Sequence, residues 1–250
     1  METWLGMLSP YLLVLGRVSA FVAAAPLLSW TTAPLMVRAG LAVLLSLFFA
    51  LAMPAALPAP PSSLAWGAVL MTAEVAYGLA LGLVVHLGFL AVRQAGSIAG
   101  IQMGLTLAEI IDPATNSEEG PMGLFLETVF VLLLLAVGGH HLLLRALGRS
   151  FELLPAGRLP DVTALAEGLV QAGSALFVFS LKLAGPILAG LLLLSVILAV
   201  VARVVPEMNV LLVGLPVQVL LGLVLAAAMI PTLGAFTDEL GQWIGRMLSP

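Results

Sequence analysis

Long apolar runs alternate along this chain with short clusters of proline, glycine and charge, and the lengths of the runs decide the fold class. Residues near 8–28, 35–53, 66–92, 122–144, 172–202 and 209–233 each hold about the twenty apolar residues that a helix needs to cross a bilayer. Stretches such as Val129–Val137 and Ile187–Val201 are apolar on every side, whereas membrane strands alternate apolar and polar positions. Helices satisfy their own backbone in such surroundings. The pattern therefore predicts an all-α, polytopic membrane-protein-like bundle of about six long, partly broken helices, in a single domain over residues 1–250.

The breaks add detail. The short connection from Ser29 to Pro34 makes the first two helices neighbours, while Pro54, Pro58, Pro60 and Pro61 give a stiff, extended linker before the third. In the fifth run Pro186 follows four residues after Lys182. It removes a helical hydrogen bond, so the run bends there or divides into two shorter helices. A polar break from Arg203 to Asn209 separates the last two runs, with Arg203 and Asn209 expected to bond carbonyls freed around Pro206. Pro216 and Pro231 punctuate the final run, and Gly241, Trp243 and Gly245 in the tail suit an interfacial helix.

Composition agrees with the pattern: 62% of residues are apolar, 9% are charged, and mean hydropathy is +1.19. Ala23-Ala24-Ala25 resembles a signal-peptide cleavage site, but Glu2 precedes it and Arg17 interrupts the apolar core, so the first run is read as a retained helix. The chain has no cysteine, which excludes disulfides and thiolate metal sites. Its nine cationic residues are scattered, giving neither a nucleic-acid patch nor a polybasic anchor for anionic lipid. Counting alternate sides, Arg145, Arg149, Arg158 and Arg246 stand against Arg38, Arg93 and Arg203, which leaves orientation undecided.

Candidate chemistry concentrates between Ala91 and Pro121. Gly96, Gly100 and Gly104 fall four apart, a stripe where another backbone can approach, and the helix carrying them should end near Ile111 because Asp112 precedes Pro113. Acidic and polar residues follow to Gly120. A helix of this kind leading into an acidic segment suits a gate or constriction that includes Gln102 and Met103, and equally an ordinary turn. Leucine at Gly100 or Gly104 should disrupt it, and alanine should be much milder.

Arg17, Glu74 and Lys182 are candidate buried charges. Gly78 and Gly82 make a second small-residue pair on the helix of Glu74. That carboxylate is a functional group at membrane depth, or lies at a water-filled edge, or meets a cation of a neighbouring subunit. His140 and His141 point about 100° apart on a helix and have no carboxylate at ligand spacing, so they fit a helix end better than a metal. The segment from Leu142 to Glu167 is the most polar and should be the most exposed to water. No nucleophile motif or metal spacing suggests an enzyme, and no cofactor is expected. A secondary transporter would use Glu74, Lys182 and Pro186, but no inverted repeat accompanies them.

Several blocks in order resemble a known family: Arg17 with Ala25-Pro26, Pro34 and Arg38; Glu74 with Gly78 and Gly82; AGSIAGIQMG leading to Asp112-Pro113; GGHHLLLRALGRSFELLPAG; and ARVVPEMNVLLVGLPVQVLLG. The family is that of FliR, the flagellar export-gate subunit, with its virulence type III secretion counterparts. The resemblance covers nearly the whole chain, and the GGHH block looks more flagellar. It departs at Glu207, where the family often has glutamine. It implies a non-enzymatic subunit of a helical gate in the bacterial inner membrane and flagellar basal body. The expected partners are FliP, FliQ, FlhB, FlhA-like subunits and membrane lipid, with unfolded flagellar proteins as the cargo. It also implies a plug over the stretch that includes Gly100, Gln102, Met103, Gly104, Asp112 and Pro113, with helix packing and assembly at Gly78, Gly82, Gly96, Arg203, Pro206, Asn209 and Pro216.

Overall fold

A computed structural model of the chain describes residues 2–27, 34–53, 61, 63–105, 120–205 and 210–237, with side-chain surroundings given from Pro10 onward and not for 210–211. Every regular element among them is a helix: α1 (Glu2–Ala24), α2 (Leu35–Ala52), α3 (Leu64–Gln102), α4 (Pro121–Ala136), α5 (Gly139–Leu153), α6 (Val162–Val204) and α7 (Val210–Ala228). Residues 230–237 are again helical.

Length and apolarity make α2, α3, α6 and the stretch Leu212–Thr237 capable of crossing a membrane, and α4 with α5 can count as one broken span. The first run forms one 23-residue helix, α1, and the fourth run breaks at Gly138, whose φ of +79° is a left-handed conformation open to glycine. Two helices are longer than expected. At 39 and 43 residues, α3 and α6 extend about 58 and 64 Å, roughly twice the ~30 Å hydrocarbon core.

Pro186 does not divide α6. Leu183, Ala184 and Ile187 around it are buried while the proline itself faces outward, so packing on one side carries the helix past the lost hydrogen bond.

The described residues fall into two compact units. The first draws on Met1–Leu87 and Gly138–Gly173, the second on Gly88–Val137 and Ser174–Asp238; α3 and α6 supply residues to both.

In the first unit α1 and α2 are antiparallel, since Tyr11 near the start of one shares a 2.9 Å hydrogen bond with Ser46 near the end of the other. The α1 and α3 helices run parallel and almost touch. A Cβ at Gly78 would collide with the Arg17 carbonyl, and one at Gly82 would stand 2.5 Å from the Ala24 Cβ. The short α5 is amphipathic: Leu143, Leu147 and Phe151 are buried, whereas Arg145, Arg149 and Glu152 are exposed. The segment after it, through Glu167, is largely exposed, as expected, while one face of α5 is core. Phe151 meets Phe49 of α2 at 5.7 Å between ring centres.

In the second unit, α6 and α7 are antiparallel, with Gly190 against Leu225 and Gly214 against Leu198. Phe89, Phe130, Phe236 and Phe179 form a chain of ring contacts, the last pair stacked at 3.5 Å. Phe177, Leu192, Val196, Leu220 and Val224 stay exposed, apolar faces suited to lipid or to partner subunits.

The close approach of α1 to α3 predicts that Gly78→Ala and Gly82→Ala each lower stability by about 1–3 kcal/mol, the usual cost of overpacking. Gly40, with open space around the position of a Cβ, is the control. Thermal midpoints in detergent should fall for the first two variants and not for Gly40→Ala. Equal midpoints for all three would show that the helices separate without cost.

Candidate gate site and buried ion pair

The first unit holds a buried charge network. Arg17 is 0% and Glu74 1% exposed, and Arg17 Nε donates to Glu74 Oε2 at 2.6 Å. Arg17 Nη1 donates to the carbonyls of Ser150 at 3.1 Å and Leu154 at 2.8 Å. These carbonyls lie at the C-terminal end of α5, where the dipole is negative; that of Ser150 also accepts from the Leu154 amide, so the guanidinium caps that helix end. The second carboxylate oxygen of Glu74 accepts from the Gly157 amide at 2.7 Å, and Gly157 turns the chain with φ of +81°. The guanidinium carbon stands 4.4 Å from the Phe151 ring centre and 4.8 Å from that of Tyr77, contacts that partly compensate Nη2, which has no hydrogen-bond partner among the described residues.

Glu74 is therefore neither at a watery edge nor paired to another subunit. Its partner is the lone cation of α1 in the same chain, brought within reach because Gly78, one turn on, lets the two helices touch.

In the second unit the gate candidates gather at the end of α3. Gly96 lies so near α4 that a Cβ would stand 2.7 Å from the Gly123 Cα and the Met122 carbonyl oxygen, while one at Gly100 would meet the Met122 Cβ at 3.2 Å. One turn earlier Arg93 Nε donates to Glu127 Oε2 at 2.6 Å, so α3 and α4 are clamped as an antiparallel pair.

Then α3 stops. The Leu105 amide donates to the Gly100 carbonyl and the Gly104 amide to that of Ile101, both at 3.1 Å, and Gly104 has φ of +75°. This is a glycine-capped helix end. It ends α3 at Gln102, well before Ile111, since the left-handed glycine terminates the helix before the Asp-Pro pair can. The stripe is thus Gly96 and Gly100, and Gly104 is the cap. Alanine is strained at Gly104 by its φ and at Gly96 by backbone contact, whereas Gly100 is roomier. Met103 is wholly buried against Gly222 of α7, and Gln102 is exposed. Asp112 and Pro113 lie outside the described residues.

Lys182, expected among buried charges, stands on an exposed side of α6, opposite Leu183, Ala184 and Ile187. Arg203 occupies the exposed last turn of α6, where a cation suits the negative helix end. Pro206 and Asn209 are outside the described residues, and Pro216 sits exposed within α7. His140 and His141 open α5 with ring centres 4.1 Å apart, and the described residues contain no group of three His, Cys, Asp or Glu that could hold a metal. Sequence reasoning missed Gly123, Gly222 and the Arg93–Glu127 pair. For the pair, a signal existed in isolated opposite charges on successive apolar runs.

Residues 8–242 match the family model described as bacterial export proteins, family 1. The flagellar biosynthetic protein FliR of Escherichia coli strain K12 is 33% identical over 249 residues, 99% of this chain and 94% of that protein. The protein of the same name from Bacillus subtilis strain 168 is 32% identical, covering 88% of this chain and 85% of its own length. The Yop proteins translocation protein T of Yersinia pestis is 28% identical over 60% of this chain and 58% of its own.

The two ion pairs should respond differently. Removing one member of the buried pair, as Arg17→Ala or Glu74→Gln, is expected to cost about 3–5 kcal/mol, since it strands a buried partner. Glu127→Gln acts on a pair whose arginine is 31% exposed and should cost about 1 kcal/mol or less. Folded yield and thermal midpoint in detergent report both, and a Glu127→Gln loss equal to that of Glu74→Gln would refute the ranking.

Proposed function

Because the chain belongs to the bacterial export proteins, family 1, we propose that it is a subunit of the flagellar type III protein-export gate, forming part of the pore that conducts unfolded flagellar proteins. The observation that carries this reading is the near end-to-end likeness to flagellar relatives. The virulence counterpart matches over a shorter stretch and supports the alternative less.

Its partners in this reading are FliP, FliQ, FlhB and FlhA-like subunits in the bacterial inner membrane, at the flagellar basal body. The exposed apolar faces of α2, α6 and α7 suit such neighbours as well as lipid. The role is positional and mechanical, with no catalysis assigned. Both compact units act as one export-gate domain over 1–250, since α3 and α6 each contribute to both.

Within the gate, Gly100, Gln102, Met103, Gly104, Asp112 and Pro113 belong to the closing segment. The anchoring of Met103 against Gly222 and the cap at Gly104 support a fixed root for it. Gly78, Gly82, Gly96, Arg203, Pro206, Asn209 and Pro216 serve packing and assembly.

Co-expression of the tagged chain with its neighbouring export genes should yield a stable heteromer after detergent extraction. A chain that extracts only as a folded monomer would overturn the subunit reading. Deleting Ile110–Ser117 is expected to raise ion or dye flux across cells at matched complex abundance. Unchanged flux would eliminate the plug assignment while leaving the subunit reading intact.

A further inference from the structure

A groove of about 470 Å³ lies between α2 and α5 in the first unit. Its floor is apolar: Phe49, Met53 and Leu144 meet over Gly148, where the absent side chain leaves Phe49 and Met53 seated directly on the α5 backbone. Phe48 forms one wall and is 61% exposed. The other wall is cationic. His141, Arg145 and Arg149 follow one another at four-residue spacing on the outer side of α5, so they stack along one face above the floor.

Two arginines one turn apart repel each other unless an anion lies between them. Neither Arg145 nor Arg149 forms an ion pair among the described residues, although Glu152 lines the far end of the same groove. The helical period brings together basic residues that the linear sequence spreads out.

We propose that this groove binds one anionic phospholipid, its phosphate held by Arg145 and Arg149 and its acyl chain lying over Phe48, Phe49 and Met53. Three observations favour a lipid over a free anion or a protein segment. The floor is continuous with the outward face of α2, where Leu44, Leu47 and Leu51 are exposed on a helix long enough to cross a membrane. The groove sits at the C-terminal end of that helix, the depth at which a membrane-crossing helix reaches headgroups. Guanidinium forks fit phosphate oxygens in two-point contacts, and a basic rim beside membrane helices is the form that anionic headgroup sites take. Glu152, three residues beyond Arg149, lines the far end of the groove, where its carboxylate disfavours a second anion.

The test is native mass spectrometry of the full-length chain, in whatever complex it is purified, released from micelles holding equal phosphatidylglycerol and phosphatidylcholine with matched chains. The wild type is expected to retain the anionic lipid roughly thirtyfold over the zwitterionic one, as two arginines near an anionic surface provide. Arg145→Gln with Arg149→Gln should abolish that preference, Arg158→Gln should keep it, and Phe48→Ala should lower retention of both lipids. All four positions are exposed, so circular dichroism and thermal midpoints should match the wild type. Equal retention by the wild type, or an unchanged preference in the double variant, would overturn the proposal. So would displacement of the lipid by millimolar inorganic phosphate, which would make this a free-anion site. A photo-crosslinker at position 48 should label lipid in native membranes, and a protein crosslink there instead would also sink it. The readouts do not depend on export, so the export-gate reading stands or falls separately.

Discussion

The arginine at position 17 makes five interactions at once in a place that water does not reach, and the first unit is arranged around it. One nitrogen meets Glu74, another meets two carbonyls at the end of α5, and two aromatic rings cover the guanidinium. A lysine could not take this place, because a compact ammonium lacks the planar fork that reaches acceptors in separate directions while stacking on rings. The network is also the reason α5 can be short. The Leu154 carbonyl just past its end accepts from a side chain of α1, and the turn that follows is tied to α3 through the Gly157 amide. Three segments distant in sequence are joined through two side chains.

Glycine plays the complementary part. A buried ion pair needs its two backbones close, and Gly78 brings α1 and α3 to contact distance one turn from Glu74. The second unit repeats the arrangement with different emphasis. Gly96 meets Gly123 across α3 and α4 one turn from Arg93 and Glu127, but there the pair is partly exposed and the glycine contact is backbone to backbone. In the second unit packing therefore carries more of the stability and charge less, so the charges there are the more replaceable feature.

Much of this was legible in the sequence, for identifiable reasons. Apolar run length reports helices directly, so the all-α membrane character and the positions of α2 and α7 could be read with little error. Small-residue spacing marked Gly78, Gly82, Gly96 and Gly100 as contact points, because a helix places residues four apart on one face. What the sequence could not provide was which partner each stripe meets, and hence that Arg17 and Glu74, 57 residues apart, form one pair. The end of α3 was misplaced because two stop signals competed: Asp112-Pro113 is the more conspicuous, but Gly104 comes first and the chain obeys it. Pro186 misled in the opposite sense. Its local preference was overridden by burial of the residues on either side, a balance that only packing decides.

The sequence distance between Arg17 and its partners also has a consequence for biogenesis. The chain is made from its N-terminus, so Arg17 leaves the ribosome well before Glu74, and the Ser150 and Leu154 carbonyls follow 133 and 137 residues after it. At about 5–20 residues per second, the wait is roughly 3–11 s for the carboxylate and about 7–27 s for the carbonyls. Until then, a charged α1 settled at the bilayer centre would carry a penalty of about 2.5–3.5 kcal/mol on the insertion scale. The pairing that makes Arg17 tolerable in the interior is thus unavailable to α1 alone and comes into being only once α3 has been made.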